Sequence, residues 1–198
     1  SFYYCVHMFT FKKKYFLIIE SIKDIDLSNI KVINKFIIIY RYKIKPENTD
    51  KILQFRNNCR AKKIDFYISN NSKLATLCKA DGLYISAYNK HLNLARFRKK
   101  NFNIIGSAHN IKELNIKVLQ GCSCIIFSRL LRTTYSFKKG YLGIIKFNLF
   151  KISRKEVLIP LGGINLSTLN KLKLVKCKGF AFMSEIKKKP AKIFSRLF

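Results

Sequence analysis

The stretch VLIPLGGINLSTLNKLKLVKCKGFAFMSEI, Val157 to Ile186, decides how the chain is read. It divides into an apolar strand (Val157 to Leu161), a Gly162-Gly163 turn, a short helix starting at Leu166 with Asn165 as its cap, and a second apolar strand (Phe180 to Met183). Strands this apolar are covered on both faces, so the unit is a parallel βαβ. The paired glycines leave backbone N–H groups unscreened, and Ser184 offers a hydroxyl and another N–H at the matching edge of the next strand. Two neighbouring strand ends of this kind form a cradle for one phosphate, strengthened by a positive helix end. In an eight-stranded α/β barrel such a cradle sits in the loops after strands seven and eight.

Six further runs supply the strands that such a barrel needs: Tyr15 to Ile19, Phe36 to Tyr40, Asp65 to Ile68, Gly82 to Ile85, Phe102 to Gly106 and Cys124 to Phe127. Helical segments are expected between them over 26–35, 46–62, 72–79, 92–100, 110–120 and 142–152, with a last short helix in the tail after Lys187. Regular alternation with strands about twenty to twenty-five residues apart predicts a parallel sheet. Eight strands predict the α/β class and a compact (βα)8 TIM barrel. Residues 1–14 are expected to be an N-terminal extension and residues 15–198 a single barrel domain.

Composition sets the outer bounds. A chain of 198 residues with 48% hydrophobic and 14% aromatic content carries enough apolar surface for one core. Apolar runs such as Phe36 to Tyr40 are strand-length and closed by Lys or Arg, and SFYYCVHMFTFKKK lacks the long apolar stretch of a secretory signal. A cytoplasmic protein without a membrane partner is expected. The six cysteines are scattered, which reads as reduced thiols, and Cys122 and Cys124 would point the same way from one strand. The net charge of +30 is spread as Lys through nearly every segment, so nucleic acid is not the expected partner. Such a field would instead help to draw in small phosphorylated substrates.

Four pieces in barrel order carry a family resemblance: KADGLYIS (Lys79 to Ser86), IIGSAHNIKEL (Ile104 to Leu114), IPLGGIN (Ile159 to Asn165) and GFAFMSEI (Gly179 to Ile186). Together they resemble thiamine phosphate synthase and its relative, the thiazole tautomerase, over about Tyr15 to Lys187. The resemblance implies a transferase of thiamine biosynthesis that joins a hydroxymethylpyrimidine diphosphate to a thiazole phosphate, releasing pyrophosphate with Mg²⁺. It places the thiazole phosphate on Gly162, Gly163, Met183 and Ser184, with Thr133 and Thr134 from the loop after strand six. It places the diphosphate on Arg41, Lys43 and Ser107. Arg41 and Lys43 are what remains of a Gln-x-Arg-x-Lys motif whose Gln is Ile39 here. Alternation along an extended segment would aim both cations into the barrel mouth. Ser107 would donate to a phosphate oxygen or cap the helix that follows.

The departures cluster on the metal side. The family's two Mg²⁺-binding Asp residues correspond to Asn70 and Asn89, and Lys90 and His91 add no carboxylate. The nearest acid in the sequence is Asp81, at the start of strand four. Neutral amide oxygens hold a hard divalent ion much less well than carboxylates do. The Lys of the family's Thr-x-Thr-Lys loop moves to Lys138 or Lys139, and Arg129 stands where the tautomerase has a His. His109 reads as a polar residue beside a helix start. The alternative to a synthase is therefore a phosphate-binding barrel of the same family whose chemistry has been lost or changed.

Overall fold

Eight apolar runs pair in chain order into a closed parallel barrel. They are β1 (Lys14–Ile19), β2 (Phe36–Tyr40), β3 (Asp65–Ser69), β4 (Gly82–Ile85), β5 (Asn103–Ala108), β6 (Cys124–Ser128), β7 (Val157–Leu161) and β8 (Gly179–Phe182). The structure is a computed structural model and describes residues 14–95, 102–133, 140–165 and 167–183. Pairing of β1 with β8, Lys14 opposite Gly179 through Leu17 opposite Phe182, closes the ring. The α-helices α1 (Thr49–Ala61), α2 (Ser72–Leu77), α3 (Ile111–Leu119) and α4 (Ile144–Ile152) lie between strands.

Strand alternation divides the core in two. Phe16, Ile18, Ile37, Ile39, Tyr67 and Tyr84 belong to the cluster that fills the barrel. Their neighbours, such as Leu17, Ile38, Tyr40 and Phe66, form the larger cluster that also holds the buried faces of the helices. Each such Ile or Phe contributes about 1.5–3 kcal/mol by burial, so a one-residue slip of any strand would be costly. Gly82 has a steric reason to be glycine. A Cβ there would collide with the Tyr67 ring and the Asn103 carbonyl, so the gap lets one large aromatic fill the barrel floor.

All eight strands lie where the apolar runs predict them, and two connections differ from expectation. The segment 26–35 is not an α-helix. Two 3-10 turns, Ile22–Asp24 and Leu27–Asn29, precede β2 instead. The cause is local capture of the backbone. Asp24 accepts from the N–H groups of Glu20 and Ser21, and Asp26 from that of Ser28. Between β7 and β8 the helix begins at Leu169 rather than Leu166, and Leu169–Leu174 is a 3-10 helix. Asn165 still caps a turn, accepting from the N–H groups of Ser167 and Thr168. So short a helix brings no strong positive end to the Gly162-Gly163 turn, which corrects that part of the expected cradle. The basic segment at 92–100 is described only to residue 95, as a 3-10 turn. The tail after Lys187 lies outside the described residues.

Cys122 and Cys124 do not share a face. β6 begins at Cys124, which faces the barrel interior, whereas Cys122 sits in the preceding turn and packs outside it. The cysteines at 59, 78, 122, 124 and 177 are free thiols. Among the described residues, no helix is long and apolar enough to cross a membrane.

Candidate active site at the barrel mouth

Inward parity runs past the strand ends and selects what reaches the C-terminal mouth. Arg41 follows Ile37 and Ile39, Ser69 follows Tyr67, Ser107 follows Ile105, and Met183 follows Ala181. The Arg41 Nη2 donates to the Met183 sulfur at 3.3 Å, reaching past β1 to the end of β8. Arg41 and Ser107 both lie beside the Tyr84 hydroxyl. Burial pushes the Tyr84 phenol above its ordinary pKa, and the Ser107 hydroxyl and the Arg41 guanidinium pull it partly back. A thioether and a neutral phenol are weak company for a guanidinium, and Arg41 makes no ion pair among the described residues. Ser107 is free of capping duty, because Asn110 caps α3 by accepting from the Glu113 N–H at 2.9 Å.

Lys43 takes a different course. The strand ends at Tyr40, alternation lapses, and Lys43 lies out on the rim, 3.2 Å from Glu20 Oε2. This corrects the expectation that both cations point into the mouth. Two phenols brace the loop that carries them. Tyr40 accepts from the Glu47 N–H at 3.0 Å, and Tyr42 accepts from Asn71 Nδ2 at 3.1 Å. The second bond ties the β2 loop to the β3 loop. Between them opens a cavity of about 570 Å³ whose lining includes Lys43, Ser69, Asn70, Tyr88, Asn89 and Lys90. A larger hollow of about 1000 Å³, at His109, Glu113 and Arg129, shares none of these residues. There His109 pairs with Glu113 in the first turn of α3, as a polar residue at a helix start would.

The fold does bring Asn70 and Asn89 together. Asn89 Nδ2 donates to Asn70 Oδ1 at 3.1 Å. Asn70 Oδ1 also accepts from the Ser86 backbone N–H, and Asn70 Nδ2 donates to Ser86 Oγ at 2.8 Å. Asn89 Oδ1 accepts from the His91 N–H. A backbone N–H can only donate, so these two bonds fix which end of each amide is oxygen. Behind the pair, the fully buried Lys117 donates to the Asn89 carbonyl at 2.6 Å and to Gln120 Oε1 at 2.8 Å. Burial lowers the Lys117 pKa to about 8. Neither Tyr84 nor Lys117 stood out in the sequence. The only signals were a Tyr on the inward parity of β4 and a Lys three residues after Leu114 on the buried face of α3.

This donor set does not fit Mg²⁺. Both amide oxygens are engaged, and among the described residues no cluster of three Asp, Glu, His or Cys side chains could hold a metal. Asp81 lies at the other end of β4, where it binds Arg56 and the Phe66 N–H, so it cannot supply the missing carboxylate.

On the far side of the mouth, Gly162 and Gly163 have φ of +102° and +69°. A Cβ on Gly163 would lie 2.6 Å from the carbonyl oxygens of both Leu131 and Arg132, and one on Gly162 would meet Arg129. The glycines thus let the β7 turn press against the β6 loop just before Thr133. The Thr133 hydroxyl is buried without a hydrogen-bond partner among the described residues. Leu161 pairs with Ala181, which sets Gly163 level with Met183. Thr134 and Ser184 lie outside the described residues.

Known proteins share both fold and sequence with this chain. A thiamine phosphate pyrophosphorylase from Pyrococcus furiosus superposes with a TM-score of 0.66 at 16% identity, covering 94% of this chain and 97% of its own. The KGPDC structure from Streptococcus mutans gives 0.63 at 13% identity, covering 92% and 93%. These likenesses establish the barrel. A thiamine-phosphate synthase from Prochlorococcus marinus is 26% identical over 150 residues, or 74% of this chain. The match spans 43% of that longer relative. The family model described as thiamine monophosphate synthase matches residues 31–186. The chain belongs to the thiamine monophosphate synthase family.

Proposed function

We propose that the chain is a thiamine phosphate synthase, transferring a hydroxymethylpyrimidine group from its diphosphate to a thiazole phosphate with loss of pyrophosphate. The observation that carries this reading is Arg41, a cation at the barrel mouth with no carboxylate beside it among the described residues. Loss of pyrophosphate builds negative charge on the leaving oxygens, and a preorganised guanidinium stabilises that charge most where water is scarce. Arg41 and Ser107 hold the diphosphate, with Lys43 reaching it from the rim. The thiazole phosphate lies on the N–H groups of Gly163 and Ser184, beside Met183, with the hydroxyls of Thr133 and Thr134 as further donors. The unpartnered Thr133 hydroxyl and the Gly163–Met183 register support that placement. The family's Mg²⁺ has no step in this reading, since Asn70 and Asn89 do not suit it. Free, buried thiols support a cytosolic setting.

One observation favours a second reading, a barrel of the same family that keeps its phosphate grip without coupling. It is the replacement of both metal positions by a bonded amide pair. The two readings separate on product. A synthase makes thiamine phosphate from both substrates, and Arg41→Ala slows it. A binding barrel is stabilised by a thiazole phosphate but yields nothing.

A further inference from the structure

The cavity between the β2, β3 and β4 ends has an unusual hydrogen-bond balance. Asn70 Oδ1 already accepts two bonds, from Ser86 N and Asn89 Nδ2, and Asn89 Oδ1 accepts from His91 N. Each amide nitrogen has two N–H groups. One on each residue is used, Asn70 toward Ser86 Oγ and Asn89 toward Asn70, so one on each remains to donate. The carbonyl of Asn89, which a cation would otherwise seek, is taken by Lys117 and Gln120. What the pair still has to offer is N–H.

A second observation points the same way. The Ser69 hydroxyl lines this cavity, is 4% exposed, and has no hydrogen-bond partner among the described residues. Such a group is costly when left dry, and a ligand oxygen accepting its proton would offset that cost. Lys43 and Lys90 stand on the same walls, and Arg41 lies on the loop that holds Lys43. Hydroxyl, amide N–H and cation are the donor types that surround an anion.

From this balance we infer that the diphosphate end of the site binds its anion without a divalent metal, the Asn70–Asn89 amide pair replacing a metal bridge with two inward N–H donors. Two carboxylates in these positions would repel each other and require a cation between them. Two amides close on each other directly, and the positive charge comes from side chains instead. The inference rests on the proposed reading of the mouth as a diphosphate site, and it names the electrolyte on which that site works.

Calorimetric titration with inorganic pyrophosphate tests it, in EDTA and again with excess Mg²⁺. Binding in EDTA, not tightened by Mg²⁺, is the expected result. Binding seen only with Mg²⁺, or none in either buffer, overturns the inference. The double variant Asn70→Asp/Asn89→Asp gives an independent arm. Its affinity for pyrophosphate in EDTA is expected to fall at least tenfold and to recover on adding Mg²⁺ (about 1.4 kcal/mol per tenfold step). An unchanged affinity in EDTA would remove the amide pair from the site. Failure of the functional reading looks different: pyrophosphate bound in EDTA by a protein that makes no thiamine phosphate leaves the metal-free site standing. Product formed by a protein that binds pyrophosphate only with Mg²⁺ does the reverse.

Discussion

Arg41 and Lys117 show how one side chain acquires a task from where the fold leaves it. Arg41 ends on the axis side of β2 with, among the described residues, a sulfur and a phenol as its company. Charge-assisted bonds of about 1.5–3 kcal/mol then predict that Arg41→Ala slows turnover by about ten- to a hundredfold. Steady-state kinetics with both substrates check this, and an unchanged rate would remove Arg41 from the site. Lys117 is buried with its pKa lowered to about 8 from an ordinary 10.5. Between those values the unfolded chain binds the extra proton, so the stability contributed at this position rises with pH. The Tm advantage of the native protein over Lys117→Met is therefore expected to grow from pH 7.5 to pH 10. A constant difference would mean that the ammonium is not strained by burial. Arg41 was legible from strand alternation, and the Asn pair only from resemblance. Ser69 and Lys117 were silent, because an unpaired hydroxyl and a buried ammonium are properties of packing rather than of spacing.

At the scale of elements, the β7 turn is where backbone geometry and the candidate site meet. Gly163 combines a positive φ with carbonyl oxygens at 2.6 Å from any Cβ. Gly163→Val is thus expected to lower Tm through strain of about 1–3 kcal/mol and to abolish the thermal shift produced by a thiazole phosphate. An equal shift in the variant would place that phosphate elsewhere. Gly82→Ala forces the Tyr67 ring off the barrel floor, so it should lower Tm while leaving any phosphate-induced shift in place. Calorimetry on both variants separates turn from floor. Strands were legible because each centres on a short, mostly apolar run. The connection before β2 was not, since Asp24 and Asp26 took backbone N–H groups that an α-helix would have used. The β7 to β8 link misled similarly, with Asn165 and Thr168 bonding each other and the turn between them.

For the whole molecule, a net charge of +30 sits on a chain of the thiamine monophosphate synthase family. Under the proposed function that charge would attract phosphorylated substrates at long range, a screened effect with a Debye length of about 8 Å at physiological salt. Added salt should raise KM for the diphosphate substrate while changing kcat little, which a kinetic series in KCl measures. Equal losses in kcat would tie the charge to the mouth itself. The central claim is coupling chemistry at the mouth of this barrel. Its most direct measurement is thiamine phosphate formed from hydroxymethylpyrimidine diphosphate and thiazole phosphate, with each substrate omitted in turn and Mg²⁺ varied from none to excess. Product is expected only when both substrates are present, and a complete mixture that yields none at any Mg²⁺ concentration would rule out coupling at this mouth.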